Sequence, residues 1–346
     1  VTPLQRVLTT LGHREPDRVP LFLLLTGHGA RELGLSIREY FSRGEHVAEG
    51  QLRLRARFGH DCYYPFFYAA VETEAFGGDV IYVDDGPPNS GRPILSGPED
   101  IRKLMAPVVR ETPCLVKVLD AIRRLKSEAG DQVPIIGVVM SPFSLPVMQL
   151  GFERYLDLLH AEPALFARLM ETNEEFCVEW ANAQLDAGAT AICYFDPVSS
   201  STITTPDLYR RTGFEVARRT LPRIQGPTAT HMASGRCLPI VSDLAETGTS
   251  MVGVSVDEDL ATLKRSCAGR LTLLGNLNGI EMRRWSAEEA AERVRHAVAA
   301  AGRGGGFILA DNHGEIPFEV PAAVLQALVE ATDRYGRYPL DGLDER

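Results

Sequence analysis

The stretch 305–321, GGFILADNHGEIPFEVP, decides how this chain is read. An apolar run, Phe307 to Ala310, has the length and character of a strand buried on both faces. It stops abruptly at Asp311, Asn312, His313, Gly314 and Glu315. An imidazole, two carboxylates and an amide gathered where a buried strand runs out mark a loop that carries chemistry.

The pattern recurs upstream. Short apolar runs lie at 19–25 (VPLFLLL), 62–68 (CYYPFFY), 134–140 (PIIGVVM), 191–195 (AICYF), 227–231 (PTATH), 251–256 (MVGVSV), 271–275 (LTLLG) and 306–310 (GFILA). Charge-bearing periodic segments such as 153–187 and 286–301 separate them. Strands alternating with helices imply a parallel sheet, and eight such units predict closure into an α/β fold, the (β/α)8 TIM barrel. Residues 1–18 read as a helical extension packed outside the barrel, and 78–98 as a β-hairpin inserted after the second strand. No linker divides the chain, so 1–346 reads as a single domain.

With 45% hydrophobic and 24% charged residues, the chain has the composition of a globular protein with a large core. The formal charge of −10, with no basic stripe, argues against nucleic acid as the main partner. Six cysteines without a CxxC pair read as reduced thiols. The chain opens without a signal-peptide pattern, and no apolar run is long enough to cross a bilayer. The expectation is a cytoplasmic protein with no membrane partner; a homodimer is compatible with it.

In a barrel of this kind the loops after the strands form the catalytic face. The first run leads into Thr26-Gly27-His28-Gly29-Ala30-Arg31 and the third into Ser141-Pro142-Phe143-Ser144. The fourth ends at Asp196, the fifth at His231, the seventh at Asn276, and the eighth at Asp311 to Glu315. Histidines 28, 231 and 313 therefore share one rim with several carboxylates. Each also has a plainer reading: a strand-end histidine donates a structural hydrogen bond, and Asp-Pro opens turns. His13, His46, His60, His160 and His296 fall on helices or outer loops and read as surface groups.

These segments, in this order, resemble the uroporphyrinogen decarboxylase superfamily. The resemblance runs through RVLTTLGHREPDRVP, ARFGHDCYYPFFYAAVETEAFGG, GVVMSPFSLPVMQLG, YFDPVSSSTITTPDLYRR, GNLNG and DNHGEIPFEVP. It implies a (β/α)8 barrel. The true decarboxylases carry an MRQAGR-like first loop, where this chain has LLTGHGAR and keeps Arg31. Where they place a pyrrole-binding aspartate, this chain has YPFFYAAVE with Tyr68 nearby, and Pro146-Val147-Met148 stands where they have a tyrosine. His313 matches their closing histidine.

The corrinoid-dependent methyltransferases of the superfamily are similar in the first half, through FGHDCYYPFFYAAVETEAFGG. That branch implies methyl transfer with a corrinoid (cobalamin) supplied by a separate corrinoid-binding protein, since the chain has no cobalamin-ligating DxHxxG motif. Its thiol-alkylating members hold zinc through a His-x-Cys pair and a closing cysteine. Here His231 is present, Ala233 or Ser234 replaces the cysteine, and His313 stands at the closing position. Cys237 completes a zinc set of His231, Cys237 and His313, with Glu315 or Asp311 as substitutes. The expected catalytic residues are His231, His313 and Asp196; the expected contacts to a small methyl donor or acceptor are His28, Arg31, Tyr68, Asn276 and Glu315. Porphyrinogen decarboxylation and a catalytically silent tetrapyrrole- or corrinoid-binding barrel remain as alternatives.

Overall fold

The computed structural model describes residues 1–340; the last six residues of the predicted domain lie outside it. Strands β1 (Val80–Ile81) and β2 (Asn89–Ser90) form the antiparallel hairpin expected after the second apolar run. The central sheet is parallel, in the order β3 (Ile136–Met140), β4 (Ala191–Phe195), β5 (Thr228–His231), β6 (Met251–Gly253), β7 (Thr272–Leu277) and β8 (Phe307–Asp311). Each pairs with its sequence neighbour, as right-handed crossovers through helices require.

The first and second apolar runs complete the circle without becoming regular strands. Phe22 N–H donates to Leu309 O (2.8 Å), and Leu309 N–H donates to Pro20 O (2.9 Å). Asp61 N–H donates to Leu21 O, Tyr63 N–H to Pro134 O, and Ile136 N–H to Tyr63 O (2.8, 2.8 and 3.0 Å). Pro20 and Pro65 lack the N–H that a full ladder needs, so these two segments hold by isolated bridges. Closure is also visible in the interior. Phe22, Leu24, Cys62, Tyr64, Val138, Cys193, Ala229, Met251, Leu274, Ile308 and Ala310 pack as one cluster, drawing side chains from all eight segments.

Helices form where their ends are specified. Thr2 and Gln5 make a capping box before helix Pro3–Leu11, and Ser286 and Glu289 do so before Ala287–Ala301. The 25-residue helix Pro163–Ala187 starts with proline and ends at Gly188 in the left-handed conformation. Among the described residues no helix is long and apolar enough to cross a membrane.

Two expectations need correction. The N-terminal helix is not merely outside: it sends Val7 into the interior cluster and so plugs the lower end of the barrel. His60 is fully buried, not a surface group, and burial lowers its pKa to about 3.

The seam between the first two segments depends on the adjacent residue, Asp61. Its carboxylate accepts from Arg6 Nη1 (2.6 Å), Arg18 Nη1 (2.8 Å) and Leu21 N–H (2.8 Å), with no exposure to solvent. Removing one side of a buried ion pair leaves the other charge unpaired and costs about 3–5 kcal/mol. Asp61→Asn is therefore expected to lower urea-unfolding stability by about 3 kcal/mol; a loss below about 1 kcal/mol, in the range of exposed pairs, would remove the seam from this role.

Candidate active site

Five barrel segments meet at the mouth. At the end of β5, His231 is fully buried, and its ring stacks on Phe195 of β4 (centroids 4.8 Å apart, planes 12° apart). Phe66, from the second segment, stacks in turn on Phe195 (6.3 Å, 8°). Gly314 lets the β8 loop approach, since a Cβ there would lie inside the Phe195 ring edge and 3.2 Å from His231 Cε1. Gly253 does the same at the end of β6, where a Cβ would stand 2.8 Å from His231 Nε2.

The chain turns sharply after His231. Ala233 and Ser234 both have left-handed backbones (φ 45° and 73°), a strained conformation that functional loops often carry. This turn aims Ala233 N–H at His231 Nδ1 (3.0 Å) and Ser234 N–H at Asn312 O (2.9 Å), tying the fifth loop to the eighth. Asp196 N–H donates to His231 O (2.8 Å), and the Asp196 carboxylate accepts from Ser141 and Ser144 hydroxyls (2.6 and 2.7 Å).

Burial sets the electrostatics. Asp311 Oδ2 accepts from the backbone of His313 and Gly314 (2.8 and 2.9 Å), yet burial raises its pKa to about 6. Glu315 is raised to about 7 by burial and, secondarily, by Asp311, against the hydroxyl of Thr26, which donates to it. Tyr64 O–H donates to Gly314 O (2.9 Å), fixing the same loop from below. Burial holds His28 and His231 neutral, each near 3, and lowers His313. Both nitrogens of His28, Nε2 of His231, Nδ1 of His313, Oδ1 of Asp311 and the hydroxyls of Ser200 and Ser234 are buried without a hydrogen-bond partner. Unsatisfied polar atoms are uncommon in a folded interior, and so many at one mouth mark a binding site.

The other predicted residues divide. His28 opens helix His28–Leu33 and lies edge-on to Phe318 (5.9 Å), and the Arg31 guanidinium rests 3.7 Å over the same ring. Tyr68 donates to Glu74 (2.7 Å) and meets Tyr82 of the hairpin, so its hydroxyl is committed away from His231. Asn276 donates to Ser255 O (2.9 Å) and lines a groove of about 400 Å³ shared with Trp285 and His296. Cys237 packs in the apolar cluster beneath the outer helices, its N–H held by Glu258 (2.9 Å), and burial pushes its thiol well up. Among the described residues no three His, Cys, Asp or Glu side chains assemble as a metal set. The zinc expectation of His231, Cys237 and His313 does not fit this geometry.

Sequence reading missed Tyr64, Phe66, Phe195 and Glu72. Glu72 is a buried acid raised to about 8 that accepts from Met140 N–H (2.8 Å) beside the Ser141 loop. The Asp311 shift has a sign that can be checked. Folded, Asp311 titrates near 6, whereas unfolded aspartate titrates near 4. The stability its protonated form contributes is full below about pH 4 and lost as pH rises through about 6. Asp311→Asn is expected to flatten the fall in urea-unfolding free energy between about pH 4 and pH 7 by about 2–3 kcal/mol; an unchanged slope would remove the buried acid.

With this geometry in place, similarity to known proteins becomes informative. The chain is 26% identical over 311 residues to a uroporphyrinogen decarboxylase of Bordetella parapertussis, spanning 85% of this chain and 83% of that one. It is 28% identical over 221 residues, 63% of each chain, to the methylcobamide:CoM methyltransferase MtaA of Methanosarcina barkeri. Among solved structures, a methyltransferase from Methanosarcina mazei superimposes with a TM-score of 0.85 at 22% identity, over 96% of this chain and 99% of that one, which shows a shared fold. Residues 2–335 match the uroporphyrinogen decarboxylase (URO-D) family, and the chain belongs to that family of α/β-barrel enzymes.

Proposed function

We propose that this protein transfers a methyl group from a small oxygen-linked methyl donor to a corrinoid carried by a partner protein. The observation that carries this reading is the pair of carboxyls in the β8 loop. Asp311 near 6 and Glu315 near 7 belong to the loop beside the neutral His231 imidazole, one titrating just below neutral pH and the other at it. A carboxylic acid still protonated near neutrality is matched to general-acid work on a leaving oxygen. The methyltransferase name of the Methanosarcina barkeri relative supports the same choice.

The decarboxylase relatives support the other branch, but the predicted site residues carry little of the charge it needs. A porphyrinogen bearing many carboxylates needs converging cations. Of the predicted site residues one is a cation, Arg31, and it lies on the Phe318 ring. Asp196, Asp311 and Glu315 add negative charge or protonated acid, not complementarity.

The partly exposed rings of Phe66 and Phe318 offer a flat macrocycle apolar surface, and the mouth adds unpartnered donors, so it suits the group. When bound, the corrinoid supplies the nucleophile that accepts methyl. The chain's residues do the rest. The aromatic rings exclude water, and Asp196, its carboxylate held by two serines, braces the His231 backbone through its own N–H. Glu315 delivers its proton to the oxygen that keeps the electron pair of the broken carbon–oxygen bond.

The test supplies free cob(I)alamin with methyl aryl ethers such as anisole and follows methylcobalamin by its absorbance. The wild type is expected to form it, with a rate that falls above about pH 7 as Glu315 ionises, and Glu315→Gln is expected to lower kcat roughly 100-fold. Carbon dioxide released from uroporphyrinogen, with no methylcobalamin formed from any ether, would overturn the proposal.

A further inference from the structure

The structure assigns His231 a role different from metal ligation: it is a neutral hydrogen-bond donor, its proton fixed on Nε2, directed at an acceptor oxygen of the bound small molecule. The inference deepens the methyl-transfer reading and rests on it for the identity of that oxygen.

The tautomer follows from the backbone. Ala233 N–H points at His231 Nδ1 from 3.0 Å, and a donor facing that position needs a lone pair there. A proton on Nδ1 would set two donors against each other. Turning the ring over would put a carbon in front of the amide and leave it unpaired. The arrangement is built, not incidental, because the left-handed backbone of Ala233 and Ser234 is what aims the amide. The stacked Phe195 fixes the ring plane, and the missing Cβ atoms of Gly253 and Gly314 leave room on either side.

One consequence concerns metals. A metal at Nε2 needs the lone pair on that nitrogen and the proton on Nδ1, commonly held by an acceptor. Here Nδ1 faces a donor instead, and Cys237, the expected co-ligand, belongs to the apolar cluster. The other consequence concerns substrate. Nε2–H is buried and unpartnered, as are His313 Nδ1 and Asp311 Oδ1 of the β8 loop, whose Gly314 packs against the edge of the His231 ring. A fixed neutral imidazole donor polarises an oxygen without carrying charge, the role that a neutral histidine takes toward a carbonyl oxygen in some isomerases. Paired with a protonated carboxyl from the β8 loop, it gives a leaving oxygen two donors.

The experiment is long-range proton–nitrogen NMR of the histidine rings in the full chain, with the His231 resonance identified by its loss in His231→Gln. The expected spectrum shows a neutral Nε2–H ring, unchanged by one equivalent of zinc, whose Nε2 proton moves downfield at saturating anisole. A proton on Nδ1, a zinc-dependent shift of this ring, or an unmoved proton at saturating anisole would overturn the assignment. In the cob(I)alamin assay, His231→Gln, which restores an N–H, is expected to retain more kcat than His231→Ala by roughly tenfold or more. If no ether is turned over at all, the functional reading fails while the resonance still decides the inference.

Discussion

The Asp61 carboxylate, held between the guanidiniums of Arg6 and Arg18, is the contact on which the catalytic face depends. The first two barrel segments carry prolines and make isolated bridges, so they lack the ladder that fixes the other six. Asp61 supplies the missing constraint by binding Leu21 N–H with its side chain while its own N–H reaches Leu21 O. The first segment is thereby held against the second, and its backbone bonds with Leu309 hold it against β8. Its far end presents Thr26 to Glu315 and His28 to Phe318. An ion network at the floor of the barrel thus positions groups at the mouth, in keeping with the division between a stability face and a catalytic face.

At the mouth, desolvation is the organising force. It favours the uncharged form of every group, so carboxyls rise toward neutrality and imidazoles fall away from it. The result at neutral pH is that Glu315 keeps a large share of its proton, Asp311 gives up its own just below neutrality, and the imidazoles stay uncharged. Strained backbone at Ala233 and Ser234, orphaned polar atoms and raised carboxyl pKa values all cost stability, and they coincide at one place. Coincidence of such costs is what a functional site looks like.

The sequence made the strands legible because buried parallel strands are written as unbroken apolar runs, and six of the eight runs became paired strands with ends within three residues of those expected. The rim was legible for the same reason: polar residues that follow such runs fall on one face. His231, His313, Asp196 and Glu315 do converge there. What the pattern could not carry was partnership. Tyr68 was expected at the substrate, but Glu74 and Tyr82, brought by the short helix and the hairpin, capture its hydroxyl. Cys237 had suitable spacing from His231, yet Glu258 anchors its backbone and turns it into the core. The stacked rings of Phe66 and Phe195 come from separate runs, and no periodicity records that they touch. His60 was placed outside because one residue before a buried ion network looks the same in sequence as one on a loop.

The account turns on a protonated carboxyl waiting at the mouth near neutral pH. The most direct measurement is a pH titration of the Glu315 side-chain carbon by carbon-13 NMR, assigned by its loss in a variant at that position. The prediction is a midpoint near 7, displaced from ordinary glutamate by burial and by Asp311. A midpoint at the ordinary value of about 4, leaving Glu315 ionised throughout the neutral range, would contradict it.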